Sequence, residues 1–145
     1  MSYCFYHPIE VRYGDIDAQA HVNNARYLTY LEQARIQYLI HLGLWNGLSF
    51  MGIGVILADV HLAFRAAITL GQRVKVGVKT TRIGNKSISM DQRIEDADTG
   101  QVMAEAAVVL VAYDYPAQRT ILVPENWREK ITAFEREMNE RLGTP

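Results

Sequence analysis

The chain has 145 residues, 49% hydrophobic and 21% charged, with a formal net charge of −1 and a pI near 6.4; this suits one globular domain over residues 1–145 and excludes a disordered or collagen-like chain. Basic residues are scattered rather than massed, which argues against nucleic acid as a partner. No apolar run approaches the roughly 20 residues of a membrane span, and residues 1–10 lack the basic and apolar regions of a signal peptide, so a cytoplasmic location is expected.

The first predicted element is a short strand over residues 6–13, whose aromatic and β-branched side chains precede Gly14 and the polar stretch 15–24. Cys4 is the only cysteine, so no internal disulfide forms; no Cys/His cluster has metal-ligand spacing, and a partly buried thiol is expected. Over residues 25–42, Tyr27, Leu28, Leu31, Ala34, Tyr38 and Leu42 recur at the period of an amphipathic helix. Asn23 or Asn24 suits its N-cap and Gly43 a left-handed C-terminal cap. Glu32 and Arg35, three apart near the edge of the apolar face, suit a structural ion pair. Residues 45–54 read as a connecting loop.

Four strands are predicted next, at 55–64, 73–83, 86–94 and 101–113, divided by breakers at Gly71, Gly84-Asn85 and residues 98–100. Val74, Val76 and Val78 alternate with Arg73, Lys75 and Lys79, giving that strand one buried face and one wet face. Asp59 and His61 share a face with Val55, Leu57 and Ala63, where they suit a buried polar pair, a substrate contact or a subunit seam. A last helix begins near Pro124, with Trp127, Ile131, Phe134, Met138 and Leu142 as its apolar stripe. The order implies an α+β fold in which an antiparallel sheet of about five strands wraps a long central helix, with a C-terminal helix added.

Residues 11–27 place two carboxylates, an imidazole and two amides just ahead of the long helix. One reading is structural, with an Asn capping the helix, Asp15 and Asp17 shaping the turn and His21 making an ordinary hydrogen bond. The other is chemical: a helix N-terminus offers unpaired N–H donors and a partial positive charge that polarise a carbonyl oxygen, and a nearby carboxylate attacks or activates water.

Gly14-Asp15-Ile16-Asp17, followed by His21-Val22-Asn23-Asn24-Ala25-Arg26-Tyr27 and Glu32-Gln33-Ala34-Arg35, resembles the 4-hydroxybenzoyl-CoA thioesterase-like family of hotdog proteins. The likeness continues through Phe64, residues 71–74, the hairpin 82–87 and the strand 102–114. It implies a hotdog sheet curled around the long helix, a homodimer or homotetramer, and acyl-CoA in a groove at the subunit interface. Hydrolysis would release a carboxylic acid and free CoA, with no metal or redox cofactor. The resemblance makes Asp17 the catalytic carboxylate, as base or nucleophile, and brings the thioester oxygen to the backbone N–H near Asn24.

His21 then has a supporting or substrate-orienting role, while Tyr27, Asp59 and His61 are candidate substrate contacts. Arg82, Asn85, Lys86 and Ser87 suit the phosphates and pantetheine of CoA, although exposed hairpin charges also serve solubility alone. Glu32 ranks behind Asp17, because it lies roughly 12 Å along the helix axis from Asn24. Three alternatives stay open. Acyl-carrier-protein thioesterases carry Asp-x-Asn-x-His where this chain has Asp17-Ala18-Gln19-Ala20-His21. Enoyl-CoA hydratases of the same fold and a non-catalytic acyl-CoA-binding module are the others.

Overall fold

The computed structural model describes residues 3–48 and 52–141. Leu142 of the predicted stripe and part of the 45–54 loop lie outside the described residues. The elements are β1 (Phe5–Ile9), α1 (Asn24–His41), β2 (Ile53–Phe64), β3 (Val74–Ile83), β4 (Ser87–Asp96), β5 (Val102–Asp114), β6 (Arg119–Thr120) and α2 (Glu125–Arg141). All pairings are antiparallel in the order β1-β3-β4-β5-β2, with the two-residue β6 added to the end of β5. The sheet wraps α1, which is the expected hotdog arrangement.

Alternation explains the core. Val74, Val76 and Val78 of β3, Ile88, Met90 and Ile94 of β4, and Ala104, Val108 and Leu110 of β5 are all buried. Against them α1 sets Leu31, Ala34, Tyr38 and Leu39, which are also buried. Leu28 departs from the predicted stripe and is 43% exposed; Tyr30 and Arg35 face inward instead. Gly43 ends α1 at φ 74°, its N–H donating to Ile40 and that of Leu44 to Leu39, as a left-handed cap requires.

Two further expectations are corrected. The first strand stops at Ile9 because Ile9 pairs with Val74, where β3 begins; with no partner beyond, the chain turns into a single 3-10 turn at Tyr13–Asp15. The outer face of β3 is wet only in part: Arg73 is exposed, but Lys79 is buried, with its Nζ 4.9 Å from the Tyr3 ring, and Lys75 lies 4.2 Å from that of Tyr6. Gly77 makes this cover possible, since a Cβ there would sit 2.7 Å from the Tyr3 ring.

The C-terminal helix docks through Trp127 and Ile131, through Arg128, which donates to the Gly84 carbonyl at 2.8 Å, and through a polar clasp at Tyr38. The Tyr38 hydroxyl donates to Glu135 at 2.7 Å and meets the Thr80 hydroxyl at 2.9 Å, joining α1, β3 and α2. Leu31 has no exposed surface at the centre of the α1–sheet contact. Leu31→Ala is expected to lower unfolding free energy by about 2–5 kcal/mol, the cost of lost burial plus a cavity. Urea denaturation checks this, and a loss under 1 kcal/mol would mean that the sheet closes over the gap.

Candidate active site

Local geometry builds the site from the loop that precedes α1. Ile16 bridges Val22, the Asp17 N–H donates to the His21 carbonyl at 3.0 Å, and Ala20 turns the chain at φ 65°. The Asp17 carboxylate accepts from the Gln19 N–H at 2.9 Å and from the Asn23 side-chain amide at 3.3 Å. Asn23, rather than Asn24, caps the helix, its Oδ1 accepting from the Ala25 N–H at 2.9 Å. One side chain therefore both caps α1 and holds Asp17. The Asn24 N–H, at the first helical position, has no acceptor among the described residues.

A cavity of about 330 Å³ opens over this corner, lined by Asp17, His21, Asn23, Asn24, Tyr27 and Phe64. Tyr27 forms its wall, with its hydroxyl 3.3 Å from the Ala66 carbonyl and its ring 4.9 Å from that of Phe64, edge to face. The His21 side chain is exposed and makes no hydrogen bond among the described residues. A larger cavity, about 580 Å³, opens by Tyr6, Ile9 and Val74 but faces no helix start, so the chemistry points to the smaller one.

Asp17, His21, Asn24 and Tyr27 thus converge, and the other predicted residues lie elsewhere in the chain. Asp59 and His61 are both exposed and do not pair with each other. A bulge at Ala58 explains this: Leu57 pairs with Leu110 but Asp59 pairs with Val109, so the parity of the strand flips. Val55, Leu57, Val60, Leu62 and Phe64 follow the inner face of β5, whereas Asp59 and His61 follow the outer one. Arg82, Asn85, Lys86 and Ser87 sit at the far end of the sheet from Phe64, where Lys86 meets Thr120 at 3.4 Å and the Asn85 carbonyl accepts from Val123. Glu32 and Arg35 form no ion pair, because Arg35 turns into the core toward Gln92 at 3.2 Å. Among the described residues no group of three or more metal-ligating side chains converges.

Asp15 carries more than the turn-shaping role read from its position. It is buried, its Oδ2 accepting from the Tyr30 hydroxyl at 2.6 Å and from the Arg12 N–H at 3.0 Å, with Arg26 3.6 Å from Oδ1. Its carbonyl accepts the Asn23 N–H at 2.8 Å. Tyr30, one turn after Tyr27, was the available signal, but its partner is 15 residues away. Burial pushes the Asp15 carboxyl up, yet the Tyr30 hydroxyl, the Arg12 N–H and Arg26 outweigh it and hold the group below its ordinary range.

A family model for the thioesterase-like superfamily matches residues 11–131. The chain is 28% identical over 123 residues to the long-chain acyl-CoA thioesterase FadM of Escherichia coli, covering 85% of this chain and 93% of that protein. A Thermus thermophilus thioesterase solved with coenzyme A and zinc is 32% identical, with a TM-score of 0.79 over 92% of this chain and 95% of that one. A 1,4-dihydroxy-2-naphthoyl-CoA thioesterase from Synechocystis, at 22% identity, shares the fold with a TM-score of 0.78 over 88% and 95% of the two chains.

The Asp15–Tyr30 contact sets a pH dependence. The folded chain binds this proton more weakly than the unfolded chain, whose carboxyl titrates near 3.9. The contribution is therefore complete above roughly pH 5 and lost as the pH falls through the lower folded value. Tyr30→Phe is expected to cost about 1–3 kcal/mol at pH 7, with the gap to the parent narrowing toward pH 3. Urea denaturation at both pH values decides it; an equal gap at both would remove the Asp15 charge from the contact.

Proposed function

Because the chain belongs to the thioesterase-like superfamily, we propose that it hydrolyses acyl-CoA thioesters at the Asp17 corner, releasing a carboxylic acid and free CoA. One observation carries this reading: a hydrogen-bonded carboxylate and a helix-start N–H without an acceptor face the same cavity. The Asn24 N–H, aided by the partial positive charge of the helix start, would polarise the thioester oxygen. Asp17 either takes a proton from attacking water or attacks the carbonyl itself to give a mixed anhydride that water then opens. In both routes the C–S bond breaks and the CoA sulfur leaves with a proton. Asn23 keeps the carboxylate in place, and His21 borders the cavity as a supporting group.

A homodimer belongs to this proposal. β2 is an edge strand, and on its inner face Leu57, Val60 and Phe64 are 45%, 37% and 48% exposed, an apolar strip that α1 leaves uncovered. An antiparallel pairing of two β2 strands centred on Val60 would set Ile56 opposite Phe64. Each thioester corner would then adjoin the Val55 end of the other copy. The Arg82, Asn85, Lys86 and Ser87 hairpin, level with Ile56 through β5, would reach toward the same site and suit the CoA phosphates.

Asp17→Asn is expected to preserve fold and assembly and to lower kcat by about a hundredfold or more against the best acyl-CoA, measured by thiol release. Unchanged turnover would exclude Asp17. Asn24→Pro removes the donor while remaining compatible with the first helical turn, and should lower turnover by about a hundred to a thousandfold once circular dichroism shows the fold intact. Parent-like turnover would place the polarising donor elsewhere. By light scattering the parent should be at least a dimer and Val60→Asp should shift toward monomer with loss of activity; a fully active monomer would overturn the paired site.

A further inference from the structure

Another cavity, about 310 Å³, lies between the middle of α1 and the start of β2. Its walls include Ile36, Leu39, Val55, Leu57 and Leu110, all aliphatic, and one cation, Arg35. Arg35 is 6% exposed, and the one side-chain hydrogen bond it makes among the described residues runs from Nη1 to the Gln92 side-chain oxygen at 3.2 Å. Gln92 is fully buried, and its amide nitrogen is committed to the Leu31 carbonyl at 2.9 Å. This fixes the guanidinium without neutralising it. Among the described residues no carboxylate lies within ion-pair distance of Arg35, and Glu32, also on the cavity wall, acts on it only at longer range.

Burial of the side chain as a whole makes this placement costly, yet among the described residues no fully buried side-chain nitrogen lacks a partner, so the guanidinium N–H groups that Gln92 does not take keep access to solvent. Burial accordingly pushes it below its ordinary value, with Glu32 offsetting part of the effect. A plain hydrocarbon entering the cavity would strip the remaining water and return nothing to the charge. An occupant with an apolar body and one acceptor oxygen would satisfy both the aliphatic walls and the cation. Within one chain Arg35 lies about 16 Å along the helix from Asn24, and in the proposed pair the cavity adjoins the thioester corner of the other copy, so it fits the distal part of an acyl group.

We propose that Arg35 is a specificity-determining residue that binds an oxygen at the far end of the acyl group, a carboxylate in preference to a hydroxyl. The preferred substrates are then acyl-CoAs oxygenated away from the thioester rather than methyl-ended chains. This rests on the hydrolase reading and adds the substrate class to it.

The test uses the full-length protein and three CoA thioesters of equal chain length that end in a methyl, a hydroxyl or a carboxylate. The kcat/KM is expected to be about tenfold or more higher for the carboxylate-ended than for the methyl-ended thioester, as a charge-assisted hydrogen bond provides. Arg35→Met should bring that ratio to about one or below, and Arg35→Lys should keep part of it. A parent ratio near one, a methyl-ended preference, or a ratio unmoved in folded Arg35→Met overturns the proposal. Binding of the matching non-hydrolysable CoA thioethers to the parent separates the two readings. If no thioester is cleaved but the carboxylate-ended thioether binds about tenfold tighter, the hydrolase reading fails and the role of Arg35 stands. A parent ratio near one overturns the proposal even where a variant does not fold.

Discussion

The Asp15 carboxylate, buried against the Tyr30 hydroxyl, is the contact on which the candidate corner depends. A buried charge must be hydrogen-bonded, and Asp15 meets that demand by drawing on Arg12 before it, Arg26 after it and Tyr30 inside the helix. Its own carbonyl receives the Asn23 N–H, so the segment between is cinched into a closed turn. That turn aims Asp17 at the helix start. Of the two carboxylates in Gly14-Asp15-Ile16-Asp17, one spends its lone pairs on structure and the other is left half-exposed at the cavity.

The same separation of structure from chemistry recurs at the helix start. Asn23 satisfies the Ala25 N–H through its side-chain oxygen and Asp17 through its amide nitrogen, which leaves the Asn24 N–H without an acceptor among the described residues, beside the cavity. Helix ends always carry such orphan donors; here the cap uses one and spares its neighbour. Tyr27 and Phe64 then supply a wall from α1 and from the end of β2, so the cavity is bounded by both layers of the fold.

Edge strand β2 shows how one extra residue redirects a surface. Without the bulge at Ala58, strict alternation would carry Asp59 and His61 onto the face that Val55 and Leu57 occupy. With it, an apolar strip runs the length of the inner face and the polar pair is turned outward. The Asp17 cavity lies at the Phe64 end of this strip and the Arg35 cavity at its Val55 end, with no lining residue in common.

Periodicity alone located the long helix to within one residue at each end and found the four main strands, because apolar spacing reports which side of each element meets the core. The Asp17–Asn24 corner was also legible, since its residues lie within one short stretch and their likeness to a known family is local. Three things were not. The bulge that turned Asp59 and His61 outward depends on the register against β5, which no single strand encodes. Lys79 lost its water to Tyr3, which reaches across from the start of the chain to the face opened by Gly77. Arg35 left Glu32 for Gln92, 57 positions away. Local spacing determines which face a side chain takes, but what that side chain meets there is set by packing between segments distant in sequence, and so only the tertiary structure decides it.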